Sequence, residues 1–276
     1  MADRENGPLS GRTALVVGTS PNIGGGIAIE LGRAGAAVGC VDREPRNAEG
    51  AVNDLRELGA KAIAITADAT DPAAVEGVVD EVADALGQVD LLVNGAVSYD
   101  VRGVLDMDIA GWRRLLSIVL DSAFLYTGSV VRRLAAAGDP GTVINVVSTA
   151  GHQGEPNNIA YTTAKGGLLN MTRSAAIELA PHRIRVNSLT PTATDLTEWD
   201  ERAQRWDVPG PPEPFRTSLD AARAQIPLQE LPRPSDYGRA AVFLASDAAR
   251  LVTGVDLPVD AGSLANYWRT KPVGGP

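Results

Sequence analysis

Tyr161 and Lys165 stand four residues apart in the run IAYTTAK. On a helix that spacing puts both side chains on one face, close enough for the cation to act on the phenol. An unperturbed tyrosine titrates near pH ~10. An adjacent ammonium favours phenolate, which would make Tyr161 a general acid/base at ordinary pH. Ser148 precedes Tyr161 and ends the β-like run Thr142 to Val147. Its hydroxyl therefore falls at the carboxyl end of a strand, where open α/β sheets bind ligands. A YxxxK pair also arises by chance on solvated helix faces, so the surrounding elements must decide between the two.

Those elements alternate. Thr13 to Val17 reads as a strand, followed by the loop GTSPNIGGG and an alanine-rich helical segment, Ile27 to Ala34. Then come strand Ala36 to Val41, helix Asn47 to Leu58, strand Ala62 to Thr66, helix Pro72 to Leu86 and strand Val89 to Val93. A long helical pattern over 104 to 137 leads to the strand that ends at Ser148, and Asn157 to Leu179 is the helix bearing Tyr161 and Lys165. Strand Ile184 to Leu189, helix Ser235 to Ala245 and strand Asp256 to Val259 close the series. Such alternation implies a parallel sheet with helices on both faces, here a single domain over 1–276. Residues 1 to 11 are polar and read as a loose arm.

The loop from Gly18 to Gly24 follows a strand and opens a helix, the context in which backbone N–H groups approach a pyrophosphate. No Lys-Ser/Thr pair follows, which excludes a P-loop. Asp42 ends the second strand, 24 positions after Gly18. A carboxylate there accepts hydrogen bonds from a ribose 2′-hydroxyl and repels a 2′-phosphate, favouring NAD over NADP. Arg43 beside it could instead turn to a phosphate.

A net charge of −9 argues against nucleic acid or an anionic membrane as partner. The single cysteine, Cys40, excludes an intrachain disulfide and, with a polar N-terminus, points to the cytoplasm. No apolar run approaches the ~20 residues of a membrane helix. Two histidines and one cysteine without ligand spacing make metal catalysis an unlikely reading.

Taken together, the glycine loop, the Ser148 to Tyr161 spacing and YxxxK on an unbroken α/β alternation resemble the short-chain dehydrogenase/reductase family in its single-domain form. The resemblance runs from about Thr13 to Gly262. It implies a Rossmann-like, doubly wound three-layer α/β/α fold. It also implies hydride transfer between NAD(H) and a secondary alcohol or ketone, with Ser148 steadying the substrate oxygen, Tyr161 transferring the proton and Lys165 lowering the phenol's pKa and holding the nicotinamide ribose. By the same resemblance the dinucleotide meets Gly18, Ser20, Asn22, Ile23, Gly24, Asp42, Arg43, Asp68, Ala69, Asn94, Gly95, Ala96, Tyr161, Lys165, Pro191, Thr192 and Thr194. Relatives commonly form tetramers through the two long helices, so a homotetramer or homodimer is implied.

Departures from the pattern are specific. Asn22 replaces a glycine of the loop, Gly95 and Val97 alter the AsnAsnAlaGly motif, and Val119 stands where the family's tetrad has asparagine. The lost amide helps shape that helix, with Ser117, Asp121 or Ser122 as candidate substitutes. The altered AsnAsnAlaGly motif and Val119 leave open a non-redox lyase, dehydratase or isomerase on the same fold, and Arg43 leaves open an NADP-dependent ketone reductase. The segment 192–228 breaks the alternation, with Pro209, Pro211, Pro212, Pro214 and Pro227 among Trp199, Trp206 and Phe215. Proline at that density opposes long helices, and the aromatics need an apolar partner. Either a flap over the substrate or a pinned surface loop satisfies both. His152 and Gln153, shortly after Ser148, are substrate candidates beside Trp199, with a solvated loop as the alternative for His152. The aromatics suggest a medium-sized substrate with an apolar or cyclic body.

Overall fold

The computed structural model describes residues 7–266. Seven strands pair in parallel in the order β3-β2-β1-β4-β5-β6-β7. They are β1 (Thr13–Val17), β2 (Ala37–Asp42), β3 (Ala62–Thr66), β4 (Leu91–Asn94), β5 (Gly141–Val146), β6 (Ile184–Pro191) and β7 (Asp256–Val259). Every residue of β1, β4 and β5 is buried. Continuous apolar runs of this kind form where helices cover both faces of a parallel sheet.

Helices α1 (Ile23–Arg33), α2 (Pro45–Glu57) and α9 (Pro234–Ala245) cover one face, around Ile27, Leu31, Leu55, Tyr237 and Leu244. Across the sheet lie α3 (Pro72–Leu86), α5 (Ser122–Ala137) and α6 (Ile159–Leu179), around Val75, Val79, Tyr126 and Val130. Asp71 caps α3 by accepting from Ala73 N at 2.9 Å. Gly138, at φ 73°, ends α5 in the left-handed conformation that glycine adopts without strain. Strand order reverses between β1 and β4, and outside the carboxyl ends of the strands at such a point open α/β sheets hold their ligand crevice.

Four expectations change. Leu9 is fully buried and its N donates to Ala34 O at 2.9 Å, so Gly7 to Gly11 is docked rather than loose; residues 1–6 lie outside the described residues. The segment 192–228 holds two helices, α7 (Thr197–Trp206) and α8 (Glu213–Gln225). Its prolines fall where a helix tolerates them: Pro209 and Pro211 in the connection, Pro212 at the N-cap of α8, Pro214 in its first turn and Pro227 beyond its end. The pattern from 104 begins as helix only at α4 (Ile109–Leu116), where Asp108 accepts from Gly111 N at 2.6 Å. Lastly, Ile109–Ala137 is long and apolar enough to cross a membrane by length and composition, contrary to the reading of the sequence. Half of it is buried, including Leu115, Val119, Tyr126 and Val130.

Candidate active site

The crevice at the strand-order reversal collects most of the residues singled out above. Gly18 leaves β1 at φ +87°, and a Cβ there would lie 2.8 Å from Ala96 N and from the Gly95 carbonyl. Only glycine permits both the dihedral and the approach. Gly95 N donates back to Val17 O at 2.9 Å, which binds the two strand ends together. Ser20, through its carbonyl, accepts from Gly25 N at 2.8 Å, and Asn22 and Ile23 open α1. The buried amide oxygen of Asn22 has no hydrogen-bond partner among the described residues. A loop of backbone amides at a helix start beside an unpartnered buried acceptor suits a phosphate-linked, hydroxyl-bearing ligand.

Asp42 sits at the end of β2, where burial pushes its carboxyl up. Glu44 N (2.9 Å) and Asn47 Nδ2 (3.2 Å) both donate to its Oδ1, which leaves Oδ2 for a ligand hydroxyl. Arg43 is turned to Glu44 at 3.5 Å on the surface. Asp68, beyond β3 with Ala69 beside it, accepts Thr70 N at 2.9 Å and Thr70 Oγ1 at 2.7 Å, and these bonds lower its pKa.

Ser148 leaves β5 and accepts from Ala150 N at 3.2 Å, opening a single tight turn at Thr149–Gly151. Tyr161 and Lys165 both lie on α6 and are buried, at 6% and 2% exposed. The Ser148 hydroxyl faces the Tyr161 phenol closely enough to lower its pKa. Larger effects oppose it. Burial first, then the Tyr99 hydroxyl, hold Tyr161 well above the usual tyrosine range. Lys165 stands one helical turn on from the phenol. Its Nζ donates to Val146 O at 2.6 Å, lies 5.7 Å from the Tyr161 ring centroid, and is itself lowered by burial to about 7. The i,i+4 spacing brings the two side chains to one face, and burial disfavours the charged form of each.

Tyr99 was invisible as a site residue in the sequence. It lies past β4, its ring centroid 5.2 Å from that of Tyr161, with half of its surface exposed. From it runs a line of rings: Phe215 of α8 at 5.4 Å, then Trp199 of α7 at 5.9 Å from Phe215. The Trp199 Nε1 is buried without a hydrogen-bond partner among the described residues.

Val119 occupies the middle of a π turn, Ser117–Asp121, that joins α4 to α5. Such turns mark functional sites within helices. Its side chain packs with Leu115, Ala160, Tyr161 and Ala164, so the widened turn persists here on an apolar residue. Among the suggested substitutes, Ser122 donates to Ile118 O at 2.6 Å inside the same turn.

Several expected contacts point elsewhere. Asn94 faces the core: its Nδ2 donates to Asn145 Oδ1 at 2.8 Å and Thr127 Oγ1 at 3.1 Å, and Asn145 in turn donates to Thr172 Oγ1 at 2.9 Å. Its Nδ2 thus ties β4 to β5 and α5 and, through Asn145, to α6, while its buried Oδ1 has no hydrogen-bond partner among the described residues. His152, on an exposed turn, has its Nε2 3.2 Å from Thr190 Oγ1 and 3.1 Å from Asp256 Oδ2; Gln153 follows it, half-buried. The same Asp256 accepts from Ser188 Oγ and Thr190 Oγ1, so a half-buried carboxylate organises this cluster. Thr194 donates to Thr192 O at 3.0 Å and lies 3.1 Å from the Tyr237 hydroxyl, and Thr192 follows Pro191 at the end of β6.

A model of the short-chain dehydrogenase/reductase family, described as enoyl-(acyl carrier protein) reductase, matches residues 18–263. Cis-4-hydroxycyclohexanecarboxylate dehydrogenase of Sinomonas cyclohexanicum is 35% identical over 92% of this chain and 97% of its own. D-threitol dehydrogenase of Mycolicibacterium smegmatis is 34% identical over 92% and 93%. Among solved structures, a short-chain type dehydrogenase/reductase from Mycobacterium marinum superposes with a TM-score of 0.82 at 30% identity, covering 94% and 97%. A Beutenbergia cavernae structure with bound NADP gives 0.81 at 32% identity, covering 94% and 100%. Fold, crevice and relatives agree: the chain belongs to the short-chain dehydrogenase/reductase family and is an NAD(P)-dependent oxidoreductase of alcohol groups.

Proposed function

We propose that the protein interconverts a medium-sized secondary alcohol, cyclic or otherwise apolar in body, and its ketone, with NAD as the preferred dinucleotide. The observation that carries this reading is the Ser148–Tyr161 hydroxyl pair on the crevice, with Lys165 one helical turn on. When bound, the dinucleotide supplies or accepts the hydride. Ser148 and Tyr161 hold the substrate oxygen between their hydroxyls, and Tyr161 moves the proton at that oxygen. A neutral Tyr161 is the form that donates, as ketone reduction requires; oxidation needs the proton taken up. Tyr99 must release the phenol before a substrate oxygen takes its place. The rings of Tyr99, Phe215 and Trp199 supply the apolar wall, and the buried Trp199 Nε1 offers a donor to a second substrate oxygen.

NAD is preferred on the contest at β2: Glu44 N and Asn47 Nδ2 occupy Asp42 Oδ1 and leave Oδ2 to a ribose hydroxyl, while Arg43 pairs with Glu44. The relatives that act on a cyclohexane ring and on a polyol support a substrate of this size. We read the chain as one dinucleotide-binding domain whose 192–228 segment covers the substrate. Exposed Phe124 on α5 and Ile177 on α6 support assembly through these helices into a homodimer or homotetramer. A small-molecule substrate and a cytoplasmic location complete the reading.

Purified protein given NAD and a panel of cyclic and aromatic alcohols should produce NADH, read by absorbance. Tyr161→Phe should abolish the rate and keep dinucleotide binding. Substantial turnover by that variant would remove Tyr161 from its role.

A further inference from the structure

We propose that Arg202 is a positioning residue for the dinucleotide, fastening the Pro21–Asn22 turn from helix α7. This rests on reading Gly18 to Gly24 as the dinucleotide loop. Arg202 is 6% exposed, and its Nε donates to Pro21 O at 2.6 Å. Its two remaining nitrogens each lie 3.3 Å from Glu198 Oε2. Glu198 in turn accepts from Ser235 N (3.0 Å) and Ser235 Oγ (2.6 Å) at the start of α9. A buried guanidinium is costly unless its planar set of donors is met, so its partners are held in one geometry. Here one of those partners is the carbonyl next to Asn22, the residue that departs from glycine in the loop.

The other end of α7 is seated as firmly. Trp206 Nε1 donates to Asp54 Oδ2 at 3.1 Å, and Arg205 pairs with the same oxygen at 2.5 Å. The indole fills a notch that exists because two neighbours lack side chains. A Cβ at Gly25 of α1 would come 2.8 Å from the ring, and one at Gly50 of α2 would overlap it. Each glycine of the run Gly24 to Gly26 thus has its own close neighbour: Gly18, Trp206 and Pro234. Helix α7 is therefore a strut laid across α1, α2 and α9, gripping the loop from outside. Trp199, three residues before Arg202, carries the line of rings on the same helix, so one rigid element spaces the loop from the aromatic wall.

Titration calorimetry with NADH, without alcohol present, tests this. Losing one charge-assisted hydrogen bond to the loop should raise the Kd of Arg202→Met about tenfold. Arg202→Lys, with one donor head able to reach Pro21 O, should lose less. Gly50→Ala provides a remote perturbation, because the nearest atoms to its new Cβ are all in Trp206. It should raise the Kd several-fold without altering any loop residue, and adding Trp206→Leu should recover part of the loss. Thermal melts of each variant establish that it is folded, and Gly50→Ala decides the matter if Arg202→Met is not. Folded variants that bind NADH within twofold of wild type, melting lower or not, make Arg202 merely structural and overturn the proposal. Wild type that binds neither NADH nor NADPH is a different result and overturns the dinucleotide reading beneath it.

Discussion

Replacing Lys165 with methionine should change how stability depends on pH, in a direction opposite to that of an ordinary exposed lysine. Burial lowers the Lys165 pKa from 10.5 to about 7. Below that value folded and unfolded chains both carry the proton, and the full cost of burying the charge is present. Above it the folded chain gives the proton up while the unfolded chain keeps it until 10.5. The unfolded state then binds more protons, so stability rises with pH across this window, by up to ~1.4 kcal/mol per unit. Integrated from pH ~6 to ~8.5 with these two pKa values, wild type gains about 2 kcal/mol relative to Lys165→Met. Remaining below 9.0 avoids the unfolded-state titration of Cys40, whose thiol burial raises. The assay is urea unfolding of both proteins at matched concentration and several pH values, compared as a difference. Parallel curves would mean that Lys165 keeps its charge when folded, and the reasoning from burial would be wrong. A rising difference would mean that the cation beside Tyr161 is itself pH-limited.

Tyr99→Phe removes a hydroxyl that raises the Tyr161 pKa, so the acid limb of kcat/KM for alcohol oxidation should move to lower pH; an unmoved limb would separate the two phenols. His152→Ala should lower the unfolding free energy by about 1–2 kcal/mol, from lost contacts to Thr190 and Asp256, while the alcohol KM stays within about twofold. A large KM effect with unchanged stability would return His152 to the substrate. Asp42→Ala should weaken NAD more than NADP in direct titration, and equal losses would contradict a 2′-hydroxyl role.

Much of this site was legible because its signals are local. The apolar runs of β1, β4 and β5 and the helices between them follow from neighbouring residues, as does the face shared by Tyr161 and Lys165. The two helices at 192–228 were missed because proline density was read as a veto on helix. In fact Pro212 serves as the cap of α8, and Trp199 and Trp206 are held by residues distant in the chain. Asn94 and His152 were placed by motif position, but whether a strand-end or turn side chain faces the crevice or the interior depends on partners such as Asn145 and Asp256.

By itself, then, the amino-acid order determined a parallel α/β sheet, a glycine turn ending at a helix start, an acid at the end of β2 and a serine, tyrosine and lysine in workable spacing. All of these depend on dihedral preference and on periodicities a few residues long. Only the tertiary structure decided that Lys165 is buried, that Tyr99 stacks beside Tyr161, and that Arg202 reaches Pro21. Desolvation and contact between segments as far apart as Gly25 and Trp206 belong to the packed interior, and no short stretch of sequence contains them.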